Sequence, residues 1–308
     1  MQQYYLLLLV MNFKQLEQYF IVETADVYDS EESKQLFYMI VEHLTGWNRS
    51  LLLMRKEEEV TGDLQQKFVG ILHEIQKGVP VQHIFSEAWF YGLKFKVNGS
   101  VLIPRPETEE LVEWILNDLS ASGKGHQSTA DNVQTRILDI GTGSGCIAIS
   151  LQKFGNQIDA DAMDVSEEAL IMARENAVIN IATVNFIAAD ILKAVCDPAG
   201  IRTPRYNVIV SNPPYITDDE RLEMHQNVLD YEPHLALFVT NDNPLIFYKA
   251  IADYALQNLE PGGYLYFEIN EYLGKQMIEM LLSKGLTDII LKKDMQGKDR
   301  MIRCSLSA

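Results

Sequence analysis

Past Pro104 the chain alternates short apolar runs with helix-period stretches, and that alternation leaves few architectures open. Runs of strand length at 137–140, 158–163, 184–188, 206–210 and 264–269 are interleaved with amphipathic segments at 106–119, 146–154, 167–180 and 244–259. Strands that are apolar on both faces must be covered on both faces. The intervening helices supply the crossovers, so the expectation is α/β, a doubly wound and mostly parallel sheet. Two closing runs, 288–292 and 301–305, flank the turn-rich Asp294-Met295-Gln296-Gly297 and read as an antiparallel edge pair. No internal repeat is visible.

The preceding residues follow another pattern. Phe13, Leu16, Tyr19 and Phe20 recur at helix spacing, and Leu36, Phe37, Ile40, Val41 and Leu44 do so again before Gly46. A third run opens at Thr61-Gly62-Asp63, continues through Leu64, Phe68, Ile71, Leu72 and Ile75, and stops at Gly78-Val79-Pro80. These runs predict a small helical bundle without candidate chemistry. Residues 88–103 alternate and are rich in aromatics, and Asn98-Gly99 between two β-like runs predicts a hairpin turn. The expected division is a helical domain at 1–86, a connecting β-hairpin at 87–104 and the α/β domain at 105–308. Residues 4–11 are apolar but too short to span a bilayer, and they lack the basic segment and cleavage site of a signal peptide. They read as an extension, or an upstream start, ahead of a domain beginning near Met11. The polar Gly/Ser stretch at 120–132 reads as a flexible loop.

Charge and cysteine usage narrow the function. A net charge of −17 opposes sequence-independent nucleic-acid binding, which needs clustered Lys and Arg. The three cysteines, Cys146, Cys196 and Cys304, are scattered and lack zinc-ligand spacing, so they read as reduced thiols of a cytoplasmic protein. The six histidines form no metal pattern, and no metal is expected.

Chemistry concentrates at the strand ends. Ile137-Leu138-Asp139-Ile140 runs into Gly141-Thr142-Gly143-Ser144-Gly145, a turn whose glycines let the backbone approach a ligand. A dinucleotide fingerprint also begins this way, but it calls for a small residue where Cys146 stands. Asp164 closes the next strand, placed for both hydroxyls of a ribose, and Asp190 follows the third, where an adenine amino group would lie. Acids at Asp139, Asp164 and Asp190 suit a cationic sulfonium better than a pyrophosphate. The fourth strand ends in Ser211-Asn212-Pro213-Pro214-Tyr215. Two prolines stiffen a corner that can neither continue a ladder nor start an ordinary helix. The Asn212 side-chain oxygen and a backbone carbonyl can there hold a planar –NH2 group. Together the two halves imply S-adenosylmethionine with an amine-type acceptor.

With these words the chain resembles the release-factor glutamine N5-methyltransferase family of class I S-adenosylmethionine-dependent enzymes. Matching segments are Leu102-Ile103-Pro104-Arg105-Pro106-Glu107-Thr108-Glu109, Leu138 to Gly145, Ser211 to Ile216, Tyr231-Glu232-Pro233 with Ala236-Leu237, and Gly297-Lys298-Asp299-Arg300. The resemblance spans residue 80 onward, and the N-terminal bundle fits by architecture. It implies a seven-stranded methyltransferase sheet and a substrate-recognising N-terminal domain. It also implies S-adenosylmethionine held by Gly141, Thr142, Gly143, Ser144, Gly145, Asp164, Asp190, Ile191 and Asn212. Asn212, Pro213, Pro214, Tyr215, Arg105 and Glu107 would meet the substrate.

In the implied mechanism Asn212 and the Pro213 carbonyl accept the two N–H bonds of the acceptor amide, and Tyr215 flanks its plane; Asn212, Pro213 and Tyr215 form the catalytic set. The implied partner is the Gly-Gly-Gln loop of a peptide-chain release factor, met by a cytoplasmic monomer with no DNA or membrane contact. Methylation of a ribosomal-protein glutamine stays open. A nucleic-acid adenine N6-methyltransferase would need a basic cleft. A non-catalytic cofactor-binding scaffold has no need of Asn212-Pro213-Pro214-Tyr215, and a nicotinamide dehydrogenase is the remaining alternative on a similar sheet. Three positions depart from the family: Ile191 stands where an aromatic often stacks on adenine, Phe85-Ser86 replaces a glycine-containing turn, and Asn241-Asp242-Asn243-Pro244 replaces another.

Overall fold

The computed structural model describes residues 11–60, 62–121, 134–194, 205–224 and 226–307. The apolar stretch before Met11, most of the loop expected at 120–132, and Cys196 lie outside the described residues. The chain divides into two compact units. One takes the residues up to Ser86 together with Gln226–Tyr231, and the other takes the remainder.

The first unit contains α1 (Phe13–Glu23), α2 (Ser30–Thr45), α3 (Arg49–Arg55), α4 (Gly62–Gln76) and α5 (Val81–Phe85). Asn12 and Gln15 cap α1 reciprocally, and the Asp29 side chain accepts from the amides of Glu31 and Glu32 at the start of α2. Phe20, Phe37 and Phe68 are buried against one another with ring centroids 5.6–6.0 Å apart. The sequence pattern predicts α1, α2 and α4 but not α3 and α5, which are too short to display a period. The segment Gln226–Tyr231, far away in sequence, joins this unit, and the Tyr231 hydroxyl donates to the Lys77 carbonyl at 3.4 Å.

The second unit opens with a hairpin of β1 (Glu87–Phe90) and β2 (Leu93–Lys96). Its turn is Tyr91-Gly92, not the expected Asn98-Gly99. Both turn residues have positive φ, 49° and 72°, the pair that matches strand twist in a two-residue turn. Tyr91 is held there by donating its amide to Glu109 Oε1 at 2.8 Å. Asn98 instead turns its side chain onto the Ser100 amide at 2.9 Å, a local Asx turn that ends extended structure.

Then follow α6 (Pro106–Ala121), β3 (Thr135–Ile140), α7 (Cys146–Phe154), β4 (Ile158–Asp164), α8 (Glu167–Ile179), β5 (Val184–Ala188) and β6 (Tyr206–Ser211). A two-residue parallel pair, β7 (Ile216–Thr217) with β8 (Phe238–Val239), precedes α9 (Ile246–Asn258), β9 (Leu259–Glu268), α10 (Gly274–Ser283), β10 (Thr287–Lys293) and β11 (Asp299–Ser305). The main sheet has seven strands in the order β10-β11-β9-β6-β3-β4-β5. Neighbours run parallel except at β11, which is antiparallel to both β9 and β10. The closing pair is thus antiparallel as expected, but only β10 sits at the edge.

Successive strand residues point to opposite faces, and each face has its own core. Leu138, Ile209, Leu265 and Phe267 pack with Tyr248, Ile251 and Met277 of α9 and α10. Ile137, Val208, Val210 and Tyr266 pack with Leu111, Ile115 and Ile147 of α6 and α7. This is the doubly wound α/β sheet. From β3 the chain steps outward through β4 and β5, then returns to place β6 on the other side of β3. That reversal opens a crevice at the carboxyl ends of β3 and β6. Asn176 of α8, fully buried, ties the hairpin to this place: its Oδ1 accepts from the Lys96 amide at 2.6 Å, and its Nδ2 donates to the carbonyls of Lys96 and Ser144 at 3.0 and 2.9 Å.

Candidate active site

A cavity of about 460 Å³ occupies the crevice, within the range of small-molecule sites. One wall is the loop after β3. Gly141, Gly143 and Gly145 all have positive φ (73°, 53° and 82°), for two different reasons. A Cβ built on Gly143 meets nothing within 4 Å, so there the backbone conformation and access to the cavity explain the glycine. A Cβ on Gly145 would stand 2.9 Å from Ile149 Cδ1 and 3.2 Å from Ala173 Cβ. Gly145 therefore lets α7 begin against α8, and it is not among the residues that line the cavity. Gly141, Thr142, Gly143 and Ser144 do line the cavity.

The acids separate in the same way. Asp139 is fully buried; its Oδ2 accepts the Thr142 hydroxyl at 2.6 Å and the Ala148 amide at 3.3 Å. Burial pushes its carboxyl up to about 7. It braces the loop and is not one of the cavity acids. Asp164 is on the wall, with Oδ2 accepting the Gly143 amide at 2.8 Å and Oδ1 the Ser166 amide at 2.9 Å. Burial raises its carboxyl above the usual range while these amides favour the anion. Asp190 also lines the cavity; its Oδ1 accepts the Leu192 amide at 3.0 Å, and its Oδ2 pairs with Lys193. Ile191 is beside it, 8% exposed, an aliphatic surface where the resemblance implied an aromatic. Cys146 reaches the wall as well, but burial pushes its thiol up to about 12, so it carries no nucleophile.

A second part of the wall is the corner after β6, the strand paired with β3. Ser211 fixes it by donating its hydroxyl to the Ile140 carbonyl at 2.6 Å, and Asn212, Pro213 and Pro214 line the cavity. From Thr108, which also lines the cavity, a chain of side chains that the sequence reading missed leads inward. Asn212 Nδ2 donates to Thr108 Oγ1 at 3.2 Å, and Thr108 donates to Glu268 Oε2 at 2.6 Å. Tyr215 donates to Glu268 Oε1 at 3.1 Å. Tyr215 is not among the residues that line the cavity; its ring packs against the core and its hydroxyl serves Glu268, a buried carboxylate that needs donors. Burial holds the Tyr215 phenol above its ordinary range and raises Glu268 too, while Arg300 lies close enough to both to favour their charged forms. Arg300 is anchored on Asp294 at 3.1 Å, within the closing turn. Asn270 Nδ2 donates to the Tyr215 carbonyl at 3.2 Å. One signal for Glu268 was available in the sequence: an acid inside the run Tyr264-Leu265-Tyr266-Phe267-Glu268-Ile269, which reads as buried on both faces.

The two residues expected on the substrate side separate. Arg105 lines the cavity and pairs with Glu232, whose side chain is 1% exposed and also accepts the Ile103 amide at 3.2 Å. Glu107 stands outside the wall, and Gln296 donates to it at 3.4 Å. Among the described residues no group of three or more His, Cys, Asp or Glu is placed to hold a metal ion, and no helix is long and apolar enough to cross a membrane.

The donor set fits the sulfonium cofactor that the sequence implies. A carboxylate already oriented by two amides keeps lone pairs for hydroxyl donors, as a ribose requires. Ile191 offers an apolar face, and Asp164 and Asp190 give the cavity a negative wall.

The chain matches the family model described as Methyltransferase small domain over residues 126–233, and the one described as PrmC N-terminal domain over residues 24–85. It is 42% identical over 284 residues to the release factor glutamine methyltransferase of Flavobacterium psychrophilum, covering 92% of this chain and 95% of that protein. The enzyme of the same name from Bacteroides thetaiotaomicron is 43% identical over 277 residues, with 90% and 94% covered. That of Lactococcus lactis is 42% identical over 254 residues, with 82% and 86% covered.

Proposed function

This chain belongs to the release factor glutamine methyltransferase family, an S-adenosylmethionine-dependent enzyme of protein glutamine, and we propose how its own residues perform the transfer and on which partner. The observation that carries the reading is that Asn212-Pro213-Pro214 and the Gly141–Ser144 loop with Asp164, at the ends of adjacent strands, line one cavity.

An amide nitrogen is a weak nucleophile because its lone pair is shared with the carbonyl. Asn212 Oδ1 and the Pro213 carbonyl accept its two hydrogens and leave the lone pair directed across the cavity. Orientation of this kind contributes on the order of 7–11 kcal/mol at best. Gly141, Thr142, Gly143, Ser144, Asp164, Asp190 and Ile191 hold S-adenosylmethionine, which when bound supplies an activated methyl carbon. Tyr215 stays protonated behind the wall and acts as a brace.

The acceptor is the glutamine of the Gly-Gly-Gln loop of a peptide-chain release factor, and the reaction takes place in the cytoplasm. The N-terminal helices, which match the PrmC N-terminal domain model over residues 24–85, select the partner. Incubation with labelled cofactor and purified release factors, followed by mass spectrometry of the peptide, tests this. Asn212→Ala should abolish transfer while calorimetry finds cofactor affinity largely intact. Near-normal turnover in that variant would end the proposed mechanism.

A further inference from the structure

An asparagine side chain has a donor end and an acceptor end of nearly the same shape, and only its partners choose between them. At Asn212 the choice is made two side chains away. Glu268 is 1% exposed and receives a hydrogen at each carboxyl oxygen, from Thr108 at 2.6 Å and from Tyr215 at 3.1 Å. A hydroxyl has one hydrogen. Once Thr108 gives it to Glu268, it can offer Asn212 nothing but lone pairs. Asn212 must then turn Nδ2 toward it, as found at 3.2 Å, and Oδ1 is the end left for an incoming N–H.

We propose that Thr108 and Glu268 are positioning residues that fix the Asn212 carboxamide with its oxygen toward the acceptor nitrogen. This rests on the methyl-transfer reading above. The chemistry requires a carboxylate, since only that group accepts at both oxygens and returns no hydrogen. A glutamine at 268 has one oxygen; using it for Tyr215 would turn its –NH2 to Thr108. Thr108 would then donate to Asn212 and draw Oδ1 to itself, setting two –NH2 groups face to face. A fold needing only stability has little use for a buried carboxylate here, because well-packed apolar residues commonly serve as well. Burial raises the Glu268 carboxyl, and the hydrogens given by Thr108 and Tyr215, with Arg300 nearby, oppose that in favour of the ionised form the relay uses.

The test uses the full chain with T108V, T108S and E268Q. It measures kcat and KM on a release factor, cofactor affinity by calorimetry, melting temperature, and exchange of the Asn212 side-chain amide hydrogens by NMR, assigned by their loss in N212D. T108V should lower kcat roughly tenfold, as for one oriented hydrogen bond, and E268Q more. Cofactor affinity should stay within about twofold, which a general loss of structure would not allow. T108S keeps the hydroxyl and should recover most of the activity. One Asn212 hydrogen should exchange slowly in wild type and T108S, and fast in T108V. A T108V kcat within twofold of wild type, a T108S as impaired as T108V, or unchanged exchange in T108V would overturn the proposal. If T108V does not fold, E268Q decides by the same kcat and exchange readings. Should the wild-type chain methylate no release factor, the proposed partner fails instead, and the exchange measurement still decides the relay.

Discussion

Gly145→Ala places a methyl group where the structure has no room for one. Two effects add. The backbone at this residue is left-handed, φ 82°, which costs an L-residue about 1–2 kcal/mol. The new Cβ would lie 2.9 Å from Ile149 Cδ1, 3.2 Å from Ala173 Cβ and 3.5 Å from Ala173 Cα. The Ile149 methyl can rotate aside. The Ala173 atoms cannot, because α8 fixes them, so the helices must separate at an overpacking cost of about 1–3 kcal/mol. Reduced freedom of the unfolded chain offsets about 0.4–1 kcal/mol. The net expectation is a loss of about 1–4.6 kcal/mol from these three terms. Gly143→Ala is the matched control: φ is 53° but nothing lies within 4 Å, so only the conformational part remains. Its loss should be about 1 kcal/mol or less. Urea unfolding followed by circular dichroism, extrapolated linearly to water, measures both. Equal losses in the two variants would refute the crowding argument, as would a loss at 145 below about 1 kcal/mol.

Two further outcomes follow from single residues. Ser86 ends α5 in the left-handed region, φ 56°, a conformation that favours glycine; Ser86→Gly should stabilise by about 0.5–1 kcal/mol, and a melting temperature no higher than wild type would contradict it. Asp139, with its carboxyl pushed up to about 7, keeps a proton that the unfolded chain releases near pH 4. Its contribution is therefore fully present below about pH 4 and is lost as the pH rises through about 7. D139N should show a smaller fall in melting temperature between pH 5 and 8 than wild type, and identical slopes would remove Asp139 as the cause.

The alternation past Pro104 was legible because each strand and helix carries its own period. The Gly141–Ser144 loop and the Asn212-Pro213-Pro214 corner were legible because glycine and proline restrict the backbone locally. Partners brought together by the sheet were not. Thr108 and Glu268 stand at the start of α6 and the end of β9, and no local pattern joins them. Tyr215 looked like a cavity aromatic until the demand of a buried carboxylate for donors assigned its hydroxyl elsewhere. The hairpin turn was misplaced since Asn-Gly is the stronger local signal, and Tyr91 reaches positive φ only with Gly92 beside it and Glu109 holding its amide. Gln226–Tyr231 joins the N-terminal helices through contacts distant in sequence.

The position of β11 between β9 and β10 bears on how the enzyme is made. Both of its neighbours precede it in the chain, so during synthesis β10 has no ladder to join until residues 299–305 have emerged from the ribosome. Arg300 travels on that same strand. A nascent polypeptide can form the glycine loop earlier, yet Glu268 then lacks its cationic neighbour. Completion of the contacts around Glu268 therefore waits for β11 to be inserted into the sheet.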